Sequence, residues 1–537
     1  MNRRVFGFLT LFFFLASTSF LFSQSRILTI LHTNDTHSCL FPFGPQDSLG
    51  GIARMSTLIK QLKARDTNVL TLHAGDVFVG TFEFNKYLGY PELKIMEGLY
   101  DAMALGNHEF DLGLSALAGI LSGVIPGKSP IMLPVLCANF TAPPGLDALV
   151  TPHLIKEVGE AGKAVKVGIF GVVTNGSQYY SGDVLPYITD PIEAAKTQVG
   201  ILRGEGCEVI ICLSHLGLSA DSDDAAGLAS VPGIDIIVGG HSHDALDAAR
   251  LVNGKIIVQA GDFGRFLGEL EVKINGTGDV TLNRYRLHRV DWRVRKDPRL
   301  LWTLNMLRVG LVLDPRFGPV LTKEVAKAGW DMEKTFSEDQ PTFRDTAVGD
   351  LVADAILWGL EKAGYEVDAA MEALGYIGSK IYRGKIVGND VMRVVPYGYD
   401  PTSGLGFKIV TVELAGPLLW AGLEYSVQYA PYAYDTAMQP AGLTFKYDSN
   451  LDPGFRVYDV RINGNFVNPY DSVTTYKIAL SEKVYEVLNQ LVLAMLGVPL
   501  PKTDTGLFEY NLVRDYLKKL NHVRYVAQGR VIDAPPF

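Results

Sequence analysis

Short apolar runs with the composition of β-strands recur through the first half of the chain and alternate with helical patterns. In one such pattern, residues 52–64, Ile52, Met55 and Ile59 recur at helical spacing. Continuous apolar runs are typical of strands that are buried on both faces. The alternation therefore predicts an α/β fold whose sheets are covered by helices. The predicted strands are 27–31, 69–72, 102–105, 132–136, 165–173, 209–213, 234–238 and 256–259.

The length of the chain predicts more than one domain. A chain of 537 residues exceeds what a single core organises, since domains usually hold roughly 100 to 200 residues. With 47% apolar and 20% charged residues, the chain is globular rather than disordered. A charged stretch at 289–299 and a Pro- and Gly-marked piece at 315–319 interrupt the strand rhythm. We predict a first domain at 26–290, a connecting region at 291–340, and a second domain at 341–537 that opens with a helix at 348–360.

The first 25 residues have the pattern of a secretory leader. Arg3 and Arg4 precede an apolar run at 5–22, and the small residues Ser23 and Ser25 follow it. We predict cleavage near Ser25; the alternative is an uncleaved anchor, because the run is just long enough to span a bilayer. No later segment has that length and apolarity. The sequence thus predicts an exported protein, periplasmic or extracellular, with no membrane span after leader removal.

The charge pattern and the cysteines exclude several classes of partner and cofactor. The formal net charge is −9 and the sequence contains no long Lys/Arg block, which disfavours binding to a nucleic-acid polymer. The partners are therefore expected to be small molecules, and the sequence leaves the oligomeric state open. The four cysteines form no CxxC pair and no zinc-finger spacing, so we interpret them as buried thiols.

Polar residues with metal-binding side chains follow five of the predicted strands. Carboxyl ends of strands in α/β sheets are where sites are built, and neighbouring glycines allow close approach. Residues two apart in an extended chain point to the same side, so both residues of such a pair can serve one centre. The candidate ligands are Asp35, His37, Asp76, Asn107, His215, His241 and His243.

These seven residues predict a pair of metal ions. Four imidazoles with three oxygen donors suit Zn²⁺, Mn²⁺ or similar ions better than Ca²⁺. Seven ligands are too many for one tetrahedral ion, whereas two ions that share a carboxylate need about that number. Two dications carry more charge than two aspartates remove, so the site would attract anions, and phosphate esters fit best. Taken singly, each residue has another interpretation, since a histidine at a strand end is often only hydrogen-bonded in a loop.

His108 and Asp111 are the candidate catalytic pair. His108 directly follows the candidate ligand Asn107, so it can line the site without binding metal. Asp111 could orient the His108 imidazole and favour its protonated form, which would then protonate the leaving alkoxide. The alternative is that Asp111 caps the following helix.

The order and approximate spacing of these residues resemble the exported 5'-nucleotidase family of the calcineurin-like metallophosphatase superfamily. This family includes bacterial 5'-nucleotidase/UDP-sugar hydrolases. The resemblance rests on the sequences at 31–37, 74–76, 106–111, 214–217 and 239–243. It implies a four-layer α-β-β-α catalytic domain and a smaller α+β substrate domain. By analogy, Asp35, His37 and His243 hold one ion, Asn107, His215 and His241 hold the other, and Asp76 bridges them.

The resemblance is weaker in the C-terminal half. The sequence at 349–355 resembles the entry helix of the family's substrate domain. However, relatives carry an Asn-Gly-Gly turn ending in Arg where this chain has 374–380, and a late Gly-Gly-Asp-Gly-aromatic loop is absent between 480 and 504. Because Lys cannot copy the bidentate fork of Arg, these departures bear on which substrate binds. The candidate substrate contacts are Arg344, Lys380, Arg383, Tyr397, Tyr399 and Phe407, for which ordinary surface and core roles are the alternative.

The sequence thus predicts an exported hydrolase that uses two divalent ions on phosphate esters. Nucleoside 5'-monophosphates are the first candidate substrates, followed by nucleotide sugars, cyclic nucleotides and non-nucleotide esters. The alternative from another functional class is a non-catalytic ligand-binding surface protein on the same scaffold.

Overall fold

A computed structural model describes residues 25–124, 128–160, 164–276, 278–335, 343–430 and 435–535. The predicted leader therefore falls almost entirely outside the described residues. Within the described part of the chain, no helix combines the length and the apolarity that crossing a membrane requires.

The N-terminal half consists of strands that alternate with helices, as predicted. Its strands are β1 (Arg26–Thr33), β2 (Val69–His73), β3 (Ala102–Ala104), β4 (Val135–Leu136), β5 (Val150–Thr151), β6 (His153–Val158), β7 (Val165–Val173), β8 (Val209–His215), β9 (Ile236–Gly239), β10 (Arg250–Val252), β11 (Lys255–Val258), β12 (Phe266–Ile274) and β13 (Val280–Arg289). Its helices are α1 (Ile52–Lys63), α2 (Phe82–Tyr87), α3 (Tyr90–Met96), α4 (Leu114–Ser122), α5 (Pro191–Gly204) and α6 (Leu218–Ser222).

These strands form two sheets of mainly parallel strands. The seven-stranded sheet has the order β13-β12-β1-β2-β3-β4-β5, and the six-stranded sheet has the order β10-β11-β9-β8-β7-β6. Strands β1 to β5 run parallel, as do β7, β8, β9 and β11, whereas β12, β13, β6 and β10 are antiparallel to their neighbours. Parallel neighbours place their carboxyl ends at the same edge of a sheet, so β1, β2 and β3 end together, as do β8 and β9.

The two sheets pack face to face and helices cover their outer faces. Ile30 and Leu72 of the first sheet lie in one fully buried cluster with Ile169 and Ile211 of the second. Because side chains alternate along a strand, Leu31 points the other way and packs with residues of α1, α3 and α4. Helix α5 packs on the outer face of the second sheet. The four-layer α-β-β-α arrangement is therefore confirmed.

The C-terminal half is a mixed arrangement of shorter sheets and helices. Its elements are α7 (Pro298–Leu313), α8 (Gly318–Leu321), β14 (Glu324–Ala328), α9 (Ala347–Lys362), β15 (Ala369–Ala373), β16 (Gly384–Val387), α10 (Gly388–Val394), β17 (Lys408–Ala415), α11 (Gly416–Val427), β18 (Met438–Ala441), β19 (Leu443–Tyr447), β20 (Val457–Ile462), β21 (Asn465–Phe466), β22 (Thr475–Ser481), α12 (Glu482–Leu496), β23 (Lys502–Phe508), α13 (Glu509–Leu520), β24 (His522–Val523) and β25 (Val531–Asp533). Three sheets have the orders β16-β14-β24, β18-β15-β22-β17-β23 and β21-β20-β19-β25.

Helix α9 is the predicted opening helix of this half. It begins after Thr346, whose hydroxyl accepts a hydrogen bond from the Gly349 N–H and so satisfies one of the free donors at the helix start. Its apolar residues, including Val352 and Ile356, are fully buried.

The predicted connecting region, 291–340, is largely structured. It contains α7, α8 and β14, and β14 pairs with β16 and β24 of the C-terminal half. The two halves meet through Phe82, whose ring lies 5.0 Å from that of Phe317 and 5.4 Å from that of Tyr510. The Asn85 side chain also donates to the Gly404 carbonyl at 2.8 Å. These contacts hold the C-terminal half beside the carboxyl ends of the N-terminal strands.

Candidate functional site

The seven candidate ligands converge at the carboxyl ends of strands from both N-terminal sheets. They follow β1, β2 and β3 in the first sheet and terminate or follow β8 and β9 in the second. Six of the seven fall into two groups, in each of which one ligand atom per residue lies within 4.8 Å of the others. The groups are Asp35 with His37 and His243, and Asp76 with His215 and His241.

In the first group, three side chains point at one small volume. The Nε2 atoms of His37 and His243 are 3.0 Å apart, and the Oδ1 of Asp35 lies 3.3 Å from His243 Nε2 and 4.0 Å from His37 Nε2. The Asp35 and His37 side chains are almost fully buried. Two imidazole nitrogens that approach this closely beside a carboxylate form a typical donor set for a divalent cation.

In the second group, His215 Nε2 lies 3.0 Å from Asp76 Oδ2. His241 Nδ1 lies 3.1 Å from Asn107 Oδ1, which brings the amide oxygen of Asn107 to the same place. His215 Nε2 is also 3.9 Å from Asp35 Oδ1, so the two groups adjoin. The side chains of all seven predicted ligands therefore lie together at one place.

The donor set fits divalent metal ions. The buried Nε2 of His215 faces the carboxylates of Asp76, at 3.0 Å, and Asp35, at 3.9 Å, without a well-aligned hydrogen bond to either, which a buried polar atom normally avoids. Its other nitrogen, Nδ1, lies 2.7 Å from the Ala74 carbonyl oxygen, and His37 Nδ1 lies 3.2 Å from the Phe78 carbonyl oxygen. A backbone carbonyl that binds the outer N–H of a histidine leaves the inner nitrogen free as a ligand, which is the usual arrangement at metal sites.

The four candidate ligand histidines differ in protonation. Burial would lower the pKa of His215 and of His243, but the carboxylates around them raise these pKa values to about 10 and about 9, so each would release a proton when a metal ion binds. Burial lowers the pKa of His37 and of His241 to about 4, so both imidazoles are neutral near pH 7. Burial alone would raise the pKa of the Asp76 carboxyl, but the His215 and His108 imidazoles outweigh it and hold that pKa well below its usual range.

The backbone at the centre is strained. Five of the seven candidate ligands have a positive φ. Residues other than glycine rarely adopt this backbone conformation, which costs about 1 to 3 kcal/mol for each residue. Backbone hydrogen bonds hold these conformations; for example, the Asp35 N–H donates to the Gly75 carbonyl at 2.9 Å. The φ values are 48° for Asp35, 47° for His37, 58° for Asp76, 74° for His241 and 61° for His243.

Two glycines allow the ligand loops to approach one another. A Cβ atom on Gly106 would lie 2.1 Å from Asp76 Oδ1. A Cβ atom on Gly240 would lie 2.7 Å from the Ala74 carbonyl oxygen and 2.9 Å from His215 Nδ1. Neither position has room for a side chain unless the ligands move apart.

Glu109 holds the loop that carries Asp76 against the loop that carries Asn107. Its buried carboxyl accepts backbone hydrogen bonds from Asp76, Val77, Phe78 and Gly106 at 2.6–3.1 Å. Burial first, and then the charge of Asp76, raises the pKa of Glu109 to about 7. This role of Glu109 was not predicted from the sequence. Its position between two predicted site residues, His108 and Asp111, is the sequence feature that could have indicated it.

His108 and Asp111 lie as the predicted dyad requires. His108 Nδ1 is 2.8 Å from Asp111 Oδ2, and His108 Nε2 faces the centre at 3.9 Å from Asp76 Oδ2. Burial would lower the pKa of His108, but the Asp111 and Asp76 carboxylates raise it to about 9. The capping alternative does not apply to the next helix, since the residue before α4 is Gly113.

A cleft of about 1260 Å³ opens beside the centre and is lined by both halves of the chain. Of the candidate substrate contacts, Lys380, Tyr397, Tyr399 and Phe407 line it. Arg344 and Arg383 do not: the Arg344 carbonyl accepts a hydrogen bond from Gln439, and Arg383 is exposed beyond the cleft wall. The structure therefore brings four of the six candidates to the site.

Tyr397 reaches the centre itself. Its ring stacks on that of His108 with the centroids 4.8 Å apart and the planes inclined by 15°. Tyr376 meets both Tyr397 and Phe407 edge to face, at 6.2 and 6.0 Å. These three rings form an aromatic wall from the C-terminal half directly over the candidate catalytic histidine.

Asp435, which the sequence analysis did not single out, brings a carboxylate of the C-terminal half to the centre. Its Oδ2 accepts a hydrogen bond from the Tyr179 hydroxyl at 2.7 Å and lies 3.9 Å from His241 Nε2. The Tyr179 ring packs edge to face on His241 at 4.8 Å. No strand-end pattern marks Asp435 in the sequence, so only the folded chain identifies it.

Three cationic side chains beside the centre are already engaged by other protein groups. Lys334 Nζ donates to the Ile377 carbonyl at 2.9 Å, and Lys380 Nζ lies 2.8 Å from Glu333 and 3.3 Å from Asp331. Arg265 is paired with Asp262. Farther along the cleft wall, Arg250, Lys408, Lys483 and Lys502 add positive charge.

Two family models match the chain. The calcineurin-like phosphoesterase model matches residues 28–245, and the 5'-nucleotidase C-terminal domain model matches residues 322–484. The second match begins within the predicted connecting region, just before β14.

Curated relatives and solved structures align with nearly the whole chain. The chain is 28% identical to the 5'-nucleotidase of Bos taurus, over 94% of this chain and 90% of that protein. It is 29% identical to the trifunctional nucleotide phosphoesterase protein YfkN of Bacillus subtilis, over 94% of this chain but only 35% of YfkN. Among solved structures, the 5'-nucleotidase precursor from Thermus thermophilus has a TM-score of 0.79 and 28% identity, over 95% of this chain and all of that one.

Proposed function

The chain belongs to the family that joins a calcineurin-like phosphoesterase domain to a 5'-nucleotidase C-terminal domain, and on this basis we propose that it hydrolyses nucleoside 5'-monophosphates. The observation that carries the proposal is the convergence of seven Asp, Asn and His side chains beside a cleft lined by both domains. We propose Asp35, His37 and His243 as the ligands of one ion, Asn107, His215 and His241 as those of the other, and Asp76 as the shared carboxylate.

Two divalent cations held by these residues would supply the hydrolytic chemistry. When bound, a pair of divalent cations supplies a nucleophile at neutral pH and neutralises charge on the oxygens around phosphorus. The chain's own contribution is a rigid set of ligands, because strained backbone and glycine contacts leave the side chains little freedom. We propose Zn²⁺, Mn²⁺ or a similar ion in both positions.

His108 is proposed as the general acid. Its Nδ1 is engaged by Asp111, so its Nε2 is the atom that faces the centre and can deliver a proton to the leaving oxygen. The same imidazolium stabilises negative charge that develops there. Asp111 orients the ring and favours the protonated form.

The C-terminal domain is proposed to hold the leaving group. Tyr397, Phe407 and Tyr376 present aromatic surface to a base or sugar, and Lys380 and Tyr399 line the same cleft. Arg344 and Arg383 lie outside the cleft, so the phosphate contacts expected of them would fall to the metal ions. Because Lys334, Lys380 and Arg265 beside the centre are already engaged by other groups, the second candidate is a substrate whose phosphate carries less charge, such as a cyclic nucleotide or a nucleotide sugar.

A substrate panel tests the proposed function. Metal-free protein would be assayed with AMP, UDP-glucose, a 2',3'-cyclic nucleotide and an aryl phosphate, each with Mn²⁺, Zn²⁺ or chelator. We expect AMP to give the highest kcat/KM, no turnover with chelator, and recovery when metal is restored. A higher kcat/KM on the diester substrates would favour the second candidate. Two bound ions without turnover on any substrate would favour a non-catalytic binding protein.

We also propose that the chain is exported and that its leader is removed near Ser25. The observation in support is the basic and then apolar pattern before β1. N-terminal sequencing of protein from the exported fraction should begin near Arg26. A start at Met1 in membrane-bound protein would instead indicate a retained anchor.

Asp435→Asn is expected to weaken the binding of one metal ion by about 10- to 100-fold, the usual cost of removing a partner that orients a ligand histidine. The reason is that His241 directs Nδ1 toward Asn107 and Nε2 toward Asp435, so the carboxylate stabilises the ring from its outer side. Calorimetric titration of metal-free protein measures both affinities. Asp400→Asn is the matched control, since this carboxylate lines the same cleft but binds Ser403. Two unchanged affinities in Asp435→Asn would show that Asp435 does not support His241.

A further inference from the structure

Helix α7 is apolar on both its inner and its outer face. Leu304 and Leu311 are buried, and Leu300 and Leu307 pack beside them against the N-terminal domain. A helix in an ordinary surface position presents polar side chains on its opposite face. Here the opposite face is apolar as well.

The apolar residues of the outer face form a continuous line. Their spacing of four, three and four residues places them on one side of the helix, directly away from the buried leucines. We call these four residues the outer stripe. Single exposed apolar residues are common, but a contiguous group of large ones marks an interaction surface. The outer stripe comprises Trp302 (73% exposed), Met306 (52%), Val309 (48%) and Leu313 (76%).

The charges around the outer stripe are positive. Arg295, Lys296 and Arg299 are exposed at the start of the helix, and Arg308 is exposed on its flank. Trp292, 70% exposed, lies in the same segment. This local excess of positive charge stands out in a chain with a formal net charge of −9.

The acidic residues of the segment do not offset this charge at the surface. Asp291, Asp297 and Asp314 are all buried, and each already has a cationic partner. These pairs are Asp291 with Arg293, Asp297 with Lys60, and Asp314 with Lys86 and Arg316. The surface that faces outward is therefore apolar in the middle and basic at its edges.

A second copy of the chain is a poor occupant for this surface. Two copies joined through the outer stripe would face each other with arginines and a lysine on both sides, and the segment has no free carboxylate to pair with them. Like charges across an interface disfavour association. An occupant must instead combine an apolar layer with negative charge.

We propose that the outer stripe of α7 docks the protein on an anionic lipid surface. Interfacial helices bury Trp and aliphatic side chains at the boundary between headgroups and acyl chains, while Lys and Arg bind the headgroup phosphates. Helix α7 has 16 residues and is about 24 Å long, shorter than the roughly 30 Å hydrocarbon core. It therefore lies along the lipid surface and does not cross it.

Vesicle co-sedimentation tests this proposal. We expect binding to vesicles that contain phosphatidylglycerol, weak binding to pure phosphatidylcholine, and release at high salt. The double variant Met306→Ser/Leu313→Ser should weaken binding at least tenfold. The matched control is Leu493→Ser/Met495→Ser on α12, where the side chains are 46% and 53% exposed and residues 488–500 carry no charge. All variants should retain full turnover, because neither pair lines the cleft.

Tryptophan quenching by brominated phosphatidylglycerol locates the contact. The double variant Trp292→Phe/Trp302→Phe should remove most of the quenching, because both tryptophans lie in this segment, whereas Trp330→Phe, at a 40% exposed residue of the C-terminal half, should not. Residues 1–24 contain no tryptophan, so quenching separates docking by α7 from attachment through the N-terminal segment.

Two results would overturn the proposal. Equal vesicle binding by the wild type and the α7 double variant would show that α7 does not contact lipid. A dimer in light scattering that the double variant alone abolishes, without vesicle binding by the wild type, would identify a second copy as the occupant.

Discussion

Asp76→Asn is expected to abolish phosphoester hydrolysis, with a loss of about 10³-fold or more in kcat/KM. Asp76 lies in the second group of ligands, and Glu109 ties its loop to the loop that carries Asn107. Removing its negative charge leaves two dications without the carboxylate that separates them. Several kcal/mol of charge stabilisation would be lost, and each 1.36 kcal/mol is a factor of ten in rate.

Metal analysis distinguishes this effect from misfolding. The Asn side chain keeps the shape of Asp76, including an oxygen that can accept the hydrogen bond from the backbone N–H of His108, so the domain should fold. We expect fewer than two ions per chain by elemental analysis and an unchanged far-ultraviolet circular dichroism spectrum. Asp183→Asn, which alters an exposed carboxylate bonded to Ser181, is the control and should keep both ions and full activity. Full metal content with normal turnover in Asp76→Asn would remove Asp76 from the centre.

His108→Ala is expected to lower kcat by about 10²- to 10⁴-fold while leaving the metal content intact. The reason is that His108 contacts Asp111 and faces the centre through Nε2, yet it belongs to neither ligand group. Asp111→Asn should lower kcat by less, because the imidazole remains and loses only the carboxylate that orients it and favours its protonated form. Steady-state kinetics and elemental analysis on the same preparations measure both effects.

A matched histidine variant tests whether the effect is specific. His153→Ala removes an imidazole of β6 that binds Gln198 of α5, away from the cleft, and should leave kcat unchanged. If His108→Ala lost metal as well as activity, His108 would be a ligand and not an acid. Unchanged turnover would exclude it from the reaction.

The sequence predicted the catalytic domain well because its signals are local. Each ligand follows a strand whose apolar run is visible in the sequence, and parallel strands bring their carboxyl ends together without further information. His241 and His243 illustrate this, since both follow β9 and their two-residue spacing was read as shared orientation. The structure places His243 with Asp35 and His37, and His241 with Asp76 and His215, in adjoining groups at one place.

The residues of the second domain that line the cleft were less predictable from the sequence, because they come from separate parts of the chain. Arg344 and Arg383 carry suitable charge, yet their positions in the fold direct them away from the cleft. Asp435 and Tyr179 are 256 residues apart and meet only because the C-terminal domain packs beside the strand ends. Periodicity and motif spacing describe neighbours along the chain, so they carry no information about such contacts.

The sequence by itself determined the α/β class of the first domain and marked the seven candidate ligands and the candidate dyad, since apolar periodicity and strand-end chemistry are written in consecutive residues. Only the tertiary structure decided how far apart the candidate ligand atoms lie, which side chains of the second domain reach the centre, and that α7 exposes an apolar face. Those properties depend on how distant segments pack, because burial and distance are set by the whole fold and not by local order along the chain.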